Sequence, residues 1–490
     1  MPRPDKGLKV GLTFDDVLLV PKSSAITSRR GVNTASWFSR RIRLNIPVVS
    51  ANMDTVTESS MAIAMARLGG IGVIHRFMSV EEEVREVARV KRSEGVVIED
   101  PVTLEPEKTV EDARDVMAER QVGGIVIVDE KRRVLGLVTR RDINFEDDFS
   151  KKLSAVMTPR RELVTAPKGV KLDDAKQILR RNKVEKLPLV DRQGRLSGLI
   201  TAKDIMKIKQ FPLATKDGKG RLRVAAAVGV KGDGIIRARK LLDAGADALV
   251  VDIAHGHSEH AIETVMKIKK ELGDVEIVAG NVATSRGTLD LIRAGADSVK
   301  VGVGAGSVCV TRVVTGFGVP QLTAIIDSAQ AAAAEGVPVI GDGGIRNPGD
   351  VTKAIAGGAS TVMIGSLFAG TEESPGPTIL REGIRYKLTR GMASLAASID
   401  RRVREGGQRA GRGELVEEAI EESVPEGVEG LIPYKGGVEG VVKELLGGLR
   451  SGMSYSGAAT IDELRKNAEF MRITSAGYKE SLPHDIKRVM

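Results

Sequence analysis

Short apolar runs alternate with amphipathic stretches along most of the chain, and that alternation predicts repeated strand–helix units. The strand-like runs are Ile46–Ser50, Gly70–His75, Val224–Gly229, Ala248–Asp252, Glu276–Asn281, Ser298–Gly302, Pro338–Asp342 and Thr361–Gly365. Between them lie helical stretches such as SSMAIAMARLG, GIIRARKLLDAGA, HAIETVMKIKKELG, TSRGTLDLIRAGA and NPGDVTKAIAGGA. Several of these end in Ala-Gly or Gly-Gly, as helix C-termini prefer. Strands that are apolar on both faces belong to a buried parallel sheet. Eight units predict an α/β fold of the (β/α)8 TIM-barrel type, and an open doubly wound sheet is the alternative. Closure is the better expectation, because residues suited to a site fall at or just past the C-terminal ends of the runs: Ser50, Asn52, His75, Asp252, Asn281, the Gly302 loop, Asp342 and Gly365.

The rhythm breaks after the second unit. From about Val97 to Ile208 two segments resemble each other, each with a strand, an amphipathic helix (VEDARDVMAERQV; LDDAKQILRRNKV), a second strand and a turn. Both close on Gly-Leu-(Val/Ile)-Thr-x-x-Asp-Ile, at Gly136–Ile143 and Gly198–Ile205. An internal duplication of this kind predicts a separate module. The expected division is 1–96 for the first part of the barrel, 97–208 for the inserted pair and 209–490 for the rest.

Composition narrows the chemistry. The single cysteine, Cys309, excludes an internal disulfide and a cysteine-rich metal site. A net charge of +9 invites nucleic acid or an anionic small molecule as partner. Aromatic residues make up only 3%, too few for base-stacking platforms, and the basic residues are interleaved with acids. A phosphate-bearing small molecule is therefore favoured, with no nucleic acid and no membrane partner expected. No run is apolar enough to span a bilayer and the N-terminus has no apolar signal core, so a cytoplasmic location is expected.

The candidate reactive stretch is VKVGVGAGSVCVTRVVTGFGVPQ, Val299–Gln321. Gly302, Gly304 and Gly306 end the strand and let the backbone approach a ligand, and Thr311 stands two residues beyond Cys309. Loops seven and eight carry Gly341-Asp342-Gly343-Gly344-Ile345-Arg346 and Gly365-Ser366, where barrels often build a phosphate site from backbone N–H groups. No GxGxxG fingerprint follows the first strand, so a dinucleotide would lie across the rim.

Two resemblances sharpen this. The inserted pair resembles tandem CBS motifs, a Bateman module, which implies adenine or guanine nucleotides held through Thr139, Asp142, Thr201 and Asp204. Read without it, both aspartates are helix caps. The segments LTFDDVLLVP, SANMDTVTE, VGVGAGSVCVTR, GDGGIRNPGD, VMIGSLFAGTEESPG and RSGMSYSGA resemble the family of inosine monophosphate dehydrogenases and their sisters, the GMP reductases. That resemblance spans essentially the whole chain. It implies oxidation of IMP to XMP with NAD through a covalent thioimidate on Cys309, with Thr311 beside it. It implies Ser50, Ser307, Gly344, Gly365 and Ser366 on the phosphate, Asp342 on the ribose, and Met392 and Glu426 on the base. Asp252, Asn281, Gly302 and Gly304 would meet NAD. A potassium ion (K+) would take carbonyls of Gly304, Gly306 and Cys309, completed by Glu480, Ser481 and Leu482 of a neighbouring copy in a homotetramer or octamer.

The chain departs from the family in its flap. Ser398–Ser423 holds no tyrosine, so the usual adjacent Arg-Tyr pair is missing. Arg401 is the candidate for activating water, with Arg402, Arg404 and Arg409 as alternatives. Thr315-Gly316 stands where dehydrogenases carry Ala-Gly. The reductase, or a nucleotide-sensing regulator without turnover, remains an alternative.

Overall fold

The computed structural model describes residues 8–94, 97–120, 122–405 and 424–483, with only the backbone of 204, 207–209 and 401–405. It divides into two compact units: 1–91, 213–215 and 222–490 form one, and 92–212 with 216–221 form the other.

The first unit is a closed eight-stranded parallel barrel. Its strands are β1 (Val48–Ser50), β2 (Ile71–Ile74), β3 (Ala225–Val228), β4 (Ala248–Asp252), β5 (Ile277–Val282), β6 (Ser298–Val301), β7 (Val339–Asp342) and β8 (Thr361–Ile364). Closure comes from β8 on β1, with Val362, Met363 and Ile364 opposite Val48, Val49 and Ser50. β2 pairs directly with β3 (Val73 with Ala225, Ile74 with Ala226), although some 150 residues of sequence separate them. The insertion therefore interrupts the chain and leaves the sheet whole.

Every barrel strand is buried on both faces because its two residue sets serve two cores. Val49, Ile71, Val73, Ala225, Ala227, Val250, Val278, Ile340 and Met363 point inward and pack together. Val48, Ile74, Val228, Val251, Ile277, Val299, Val339 and Val362 point outward onto the helices. Full burial of one such branched side chain contributes about 1.5–3 kcal/mol. The outer layer comprises α1 (Ser59–Leu68), α2 (Val80–Ser93), α3 (Gly234–Asp243), α4 (Glu259–Leu272), α5 (Ser285–Arg293), α6 (Gln321–Ala333), α7 (Pro348–Ala356) and α8 (Val438–Tyr455). α1 stops at Gly69, whose φ of +100° suits only glycine and whose missing Cβ would lie 2.8 Å from the Leu213 carbonyl.

Between β8 and α8 the chain leaves the barrel rhythm. Strands Thr378–Arg381, Ile384–Arg390 and Glu429–Pro433 form an antiparallel sheet, with Arg390 opposite Glu429. A helix, Leu395–Glu405, follows the second strand and leads into the undescribed residues.

The second unit carries the duplication in its backbone. One sheet contains Gly124–Val128 and Val134–Thr139, the other Lys186–Val190 and Leu196–Thr201. Each hairpin has its irregularity at the matching place, between Ile127 and Val128 and between Leu189 and Val190. Each repeat also has its own small core, one around Ile125, Ile127 and Val138, the other around Leu187, Leu189 and Ile200.

Candidate active site at the barrel rim

A cavity of about 450 Å³ opens at the C-terminal ends of the barrel strands. Its wall includes Cys309, Thr311, Asp252, Asn281, Gly302, Gly304, Gly306, Asp342, Met392 and Glu426, so ten of the residues singled out in the sequence meet in one place.

The loop that delivers Cys309 is held by its main chain. The Cys309 N–H donates to the Gly306 carbonyl at 3.1 Å, which turns the loop back on itself. The loop then pairs with a segment more than a hundred residues away. Val310 N–H donates to the Glu426 carbonyl at 2.8 Å, and Val428 N–H to the Val308 carbonyl at 2.9 Å. A third layer follows, as Gly391 N–H reaches the Val428 carbonyl and Glu426 N–H the Ala393 carbonyl, both at 3.0 Å. Gly391 and Gly427 make this stack possible. A Cβ on Gly427 would lie 3.0 Å from the Ser394 nitrogen and 3.1 Å from the Gly391 Cα. The Cys309 thiol is half-buried, and its Sγ lies 3.1 Å from the Thr311 hydroxyl. A hydroxyl at that distance can donate to a thiolate, the form of cysteine that attacks.

Across the cavity the walls are held by charge. Lys300, the penultimate residue of β6, is 3% exposed and points into the barrel, while its neighbours Val299 and Val301 pack outward. Its ammonium donates to Asp252 Oδ1 at 2.9 Å, to Asp342 Oδ2 at 3.0 Å and to the Asn281 side-chain carbonyl. Asn281 in turn donates to Asp342 Oδ2 at 2.9 Å and to the Gly302 carbonyl at 2.8 Å. Burial works against the Lys300 charge, but the two carboxylates outweigh it and hold the ammonium above the ordinary lysine value. Burial likewise works against the Asp252 carboxylate. Lys300 overcomes that, helped by Arg76 and Asn52, and Asp252 is held below the usual carboxylate range.

Loops six and seven touch at Gly302. A Cβ there would lie 2.0 Å from the Asp342 carbonyl, and buried Gln321 ties the same carbonyl to that of Val301 at 3.0 and 2.9 Å. Lys300 and Gln321 were not singled out from the sequence. A lysine inside the apolar run SVKV is the signal that could have found the first; for Gln321, at the start of a helix, the sequence carries none.

The other anticipated residues fall around this cavity less tightly. Gly343 lines it, and Gly344 lies behind it beside Phe14 and Gln321. Ser50 is fully buried at the end of β1 and accepts from Thr57 at 2.9 Å. Ser307 is exposed on the cysteine loop. Gly365 and Ser366 head a four-residue helix beside Met53. Thr389 is buried against the Thr55 hydroxyl at 3.3 Å. Arg390 joins the Asp54 carboxylate to Asp400 on the helix Leu395–Glu405, the latter at 2.7 Å. The side chains of Arg401, Arg402 and Arg404, and all of Arg409, lie outside the described residues.

For the cation, the Gly306 carbonyl already accepts from Cys309 N–H, while those of Gly304 and Cys309 accept no hydrogen bond among the described residues. Carbonyl oxygens suit a weakly hydrated monovalent ion. Glu480 ends the short helix Ser475–Glu480, and Ser481 and Leu482 follow it on the surface. In the second unit Thr139 and Asp142 form a reciprocal cap, with the Asp142 carboxylate accepting from the Thr139 N–H at 2.6 Å and from its hydroxyl at 2.8 Å. Thr201 ends the matching strand, and the Asp204 side chain lies outside the described residues.

Comparison with known proteins gives this geometry a family. The model of the IMP dehydrogenase / GMP reductase domain matches residues 11–484, and the chain belongs to that family. It is 54% identical to the inosine-5'-monophosphate dehydrogenase of Nitrosopumilus maritimus, over 98% of this chain and 99% of that one. It is 52% identical to the enzyme of the same name from Aquifex aeolicus, over 99% and 97%. Among solved structures it resembles a cysteine-to-alanine GMP reductase from Trypanosoma brucei in complex with guanosine 5'-monophosphate, with a TM-score of 0.91, 42% identity and coverage of 98% and 99%.

Proposed function

We propose that this member of the IMP dehydrogenase / GMP reductase family oxidises IMP to XMP with NAD. The observation that carries the reading is the rim cavity in which Cys309, paired with Thr311, faces Asp342, Asp252 and Asn281, in a chain more than half identical to dehydrogenases along nearly its whole length. NAD supplies the hydride acceptor when bound; Asp252, Asn281, Gly302 and Gly304 would hold it. The Cys309 thiolate forms a C–S bond at C2 of the hypoxanthine ring, and the C2 hydride departs with its electron pair, oxidising the purine by two electrons. The thioimidate left on Cys309 is then attacked by water, the C–S bond breaks, and XMP leaves with the thiol restored. The net change is IMP, NAD+ and water to XMP, NADH and a proton. Asp342 offers Oδ1, which has no protein partner among the described residues, to a ribose hydroxyl. Ser307, Gly344, Gly365 and Ser366, with Ser50 beneath, hold the phosphate, and Met392 and Glu426 meet the base. Arg401 activates the water.

Further parts of the proposal rest on the same loops. Potassium binds the Gly304, Gly306 and Cys309 carbonyls, with Glu480, Ser481 and Leu482 of another copy in a homotetramer or octamer. Residues 97–208 bind adenine or guanine nucleotides through Thr139, Asp142, Thr201 and Asp204. A cytoplasmic location fits, since no described helix is long and apolar enough to cross a membrane.

The reductase is the second reading, favoured by the missing Arg-Tyr pair and by Thr315-Gly316. The inserted unit does not separate the two, because the similar reductase aligns over 98% of this chain. Absorbance at 340 nm decides: NADH appears with IMP and NAD if the proposal holds. NADPH loss with GMP, without the first signal, would replace it with the reductase.

A further inference from the structure

We infer that Lys300 is a positioning residue for hydride transfer, a single buried ammonium that sets the substrate carboxylate Asp342 and the cofactor carboxylate Asp252 in one register. The inference rests on the proposed dehydrogenase reading for the names of the two ligands, while the cluster itself is a matter of geometry.

Three features of the cluster argue for more than packing. Most inward positions below it, among them Val250, Val278 and Ile340, are apolar, so an ammonium there is costly unless its protons are all taken. Lys300 meets this need in full: three donors meet three acceptors, drawn from β4, β5 and β7. A structural lysine would need one carboxylate for neutrality. Here two carboxylates face one ammonium, and Arg76, which also lines the cavity, acts on Asp252 as well. The lysine also takes only one oxygen from each carboxylate. Asp342 Oδ1 is left for a ligand, and the Asn281 amide, held by the same ammonium, spans to the Gly302 carbonyl on the cysteine loop. Moving Lys300 thus moves the ribose acceptor, the cofactor acceptor and the root of the cysteine loop together. A shift of about 1 Å in reacting partners costs on the order of 100-fold in rate.

The test uses the full-length protein with Lys300→Met, which keeps an unbranched side chain one atom shorter and removes the charge. The expected result is joint: KM for IMP and KM for NAD+ both rise, kcat falls about 100-fold, and the primary isotope effect with C2-deuterated IMP increases because hydride transfer becomes limiting. The acid limb of kcat/KM moves to higher pH, since Asp252 loses the charge that holds its proton affinity down. A purely structural role would lower the melting temperature without changing the isotope effect or coupling the two KM values. Lys300→Met with both KM values and the isotope effect within twofold of wild type overturns the inference, as does a rise in only one KM. If Lys300→Met does not fold, Lys300→Arg takes its place, because a planar guanidinium keeps the charge but cannot meet three converging acceptors from one point. A smaller joint loss, about tenfold, is then expected, and wild-type behaviour counts against it. Wild-type NADH formation with IMP is measured first; if it is absent, the dehydrogenase reading fails. The same variants are then read with GMP and NADPH, where the joint KM rise still decides the role of Lys300.

Discussion

Cys309 and Lys300 belong to the same strand and its exit loop, nine residues apart, yet they are positioned by different physics. The Cys309 loop is held by backbone hydrogen bonds to the segments around Gly427 and Gly391, and no side chain apart from Thr311 contacts its sulfur by hydrogen bond or ion pair among the described residues. The Lys300 ammonium is held by side chains alone, shared among two carboxylates and an amide. The difference suits the tasks. In the proposed reaction Cys309 is the nucleophile, which must present its atom to solvent and substrate, so its support has to come from behind, through the main chain. Groups that fix hydroxyls need a rigid, desolvated charge pattern, which only converging side chains provide.

Four experiments press on this contrast. Cys309→Ala removes the reacting atom and leaves both supports intact: turnover should fall by about 10⁴-fold or more, while IMP binding measured by calorimetry stays within a few fold. Surviving turnover would mean that the covalent route is wrong. Gly427→Ala attacks the backbone support. Its Cβ would press on the Ser394 nitrogen and the Gly391 Cα, and overpacking of this kind costs about 1–3 kcal/mol. We expect a lower melting temperature and a kcat lower by one to two orders of magnitude, with little change in the KM for NAD+. A change in KM alone would show that the stack serves binding instead. Thr311→Val removes the one hydroxyl beside the thiol, and a loss of about tenfold in kcat, of the size of one hydrogen bond, is expected from steady-state rates.

The smallest effect is a control outside the cavity. Glu83 and Arg237 form a buried ion pair, with N···O at 2.6 Å, between α2 and α3. Burial pushes the Glu83 carboxyl up to about 8, against the pull of Arg237. A carboxyl whose folded value exceeds its unfolded one of 4.5 binds its proton more tightly when folded. Its contribution to stability is therefore full below pH 4.5 and declines as pH rises toward 8. Melting temperatures between pH 5 and 8 should show that decline, and Glu83→Gln should flatten it while KM values hold. A shift in KM would mean that charge pairs act on catalysis wherever they stand, and the contrast between loop and cluster would lose its meaning.

Much of this site was legible from residues near one another in the chain. Glycines at alternate positions after an apolar run announced the cysteine loop, and the Asp-Gly-Gly and Gly-Ser loops announced the rim opposite. The partners of the cysteine loop were not legible as such. Nothing local shows that the backbones at Gly391 and Gly427, far along the chain from Cys309, will stack on its loop. The same holds for Thr389 and Arg390: the first is buried against Thr55, and the second, partly buried, pairs with Asp54. Asp142 was readable both as a nucleotide ligand and as a helix cap, and the reciprocal bonds with Thr139 are those of a cap.

The sequence by itself determined the order of eight strand–helix units, the duplicated insertion after the second, and the lone cysteine with its glycine loop, because strand period, helix period and turn chemistry are local properties. The tertiary structure decided which face of SVKV looks inward. Alternation puts Ser298 and Lys300 on one side and Val299 and Val301 on the other, but which side is the interior is open until barrel closure makes the other a helix-packing surface. Only closure brings Asp252, Asn281 and Asp342 within 3 Å of one ammonium and turns Lys300 from an oddity in an apolar run into the centre of the cavity floor.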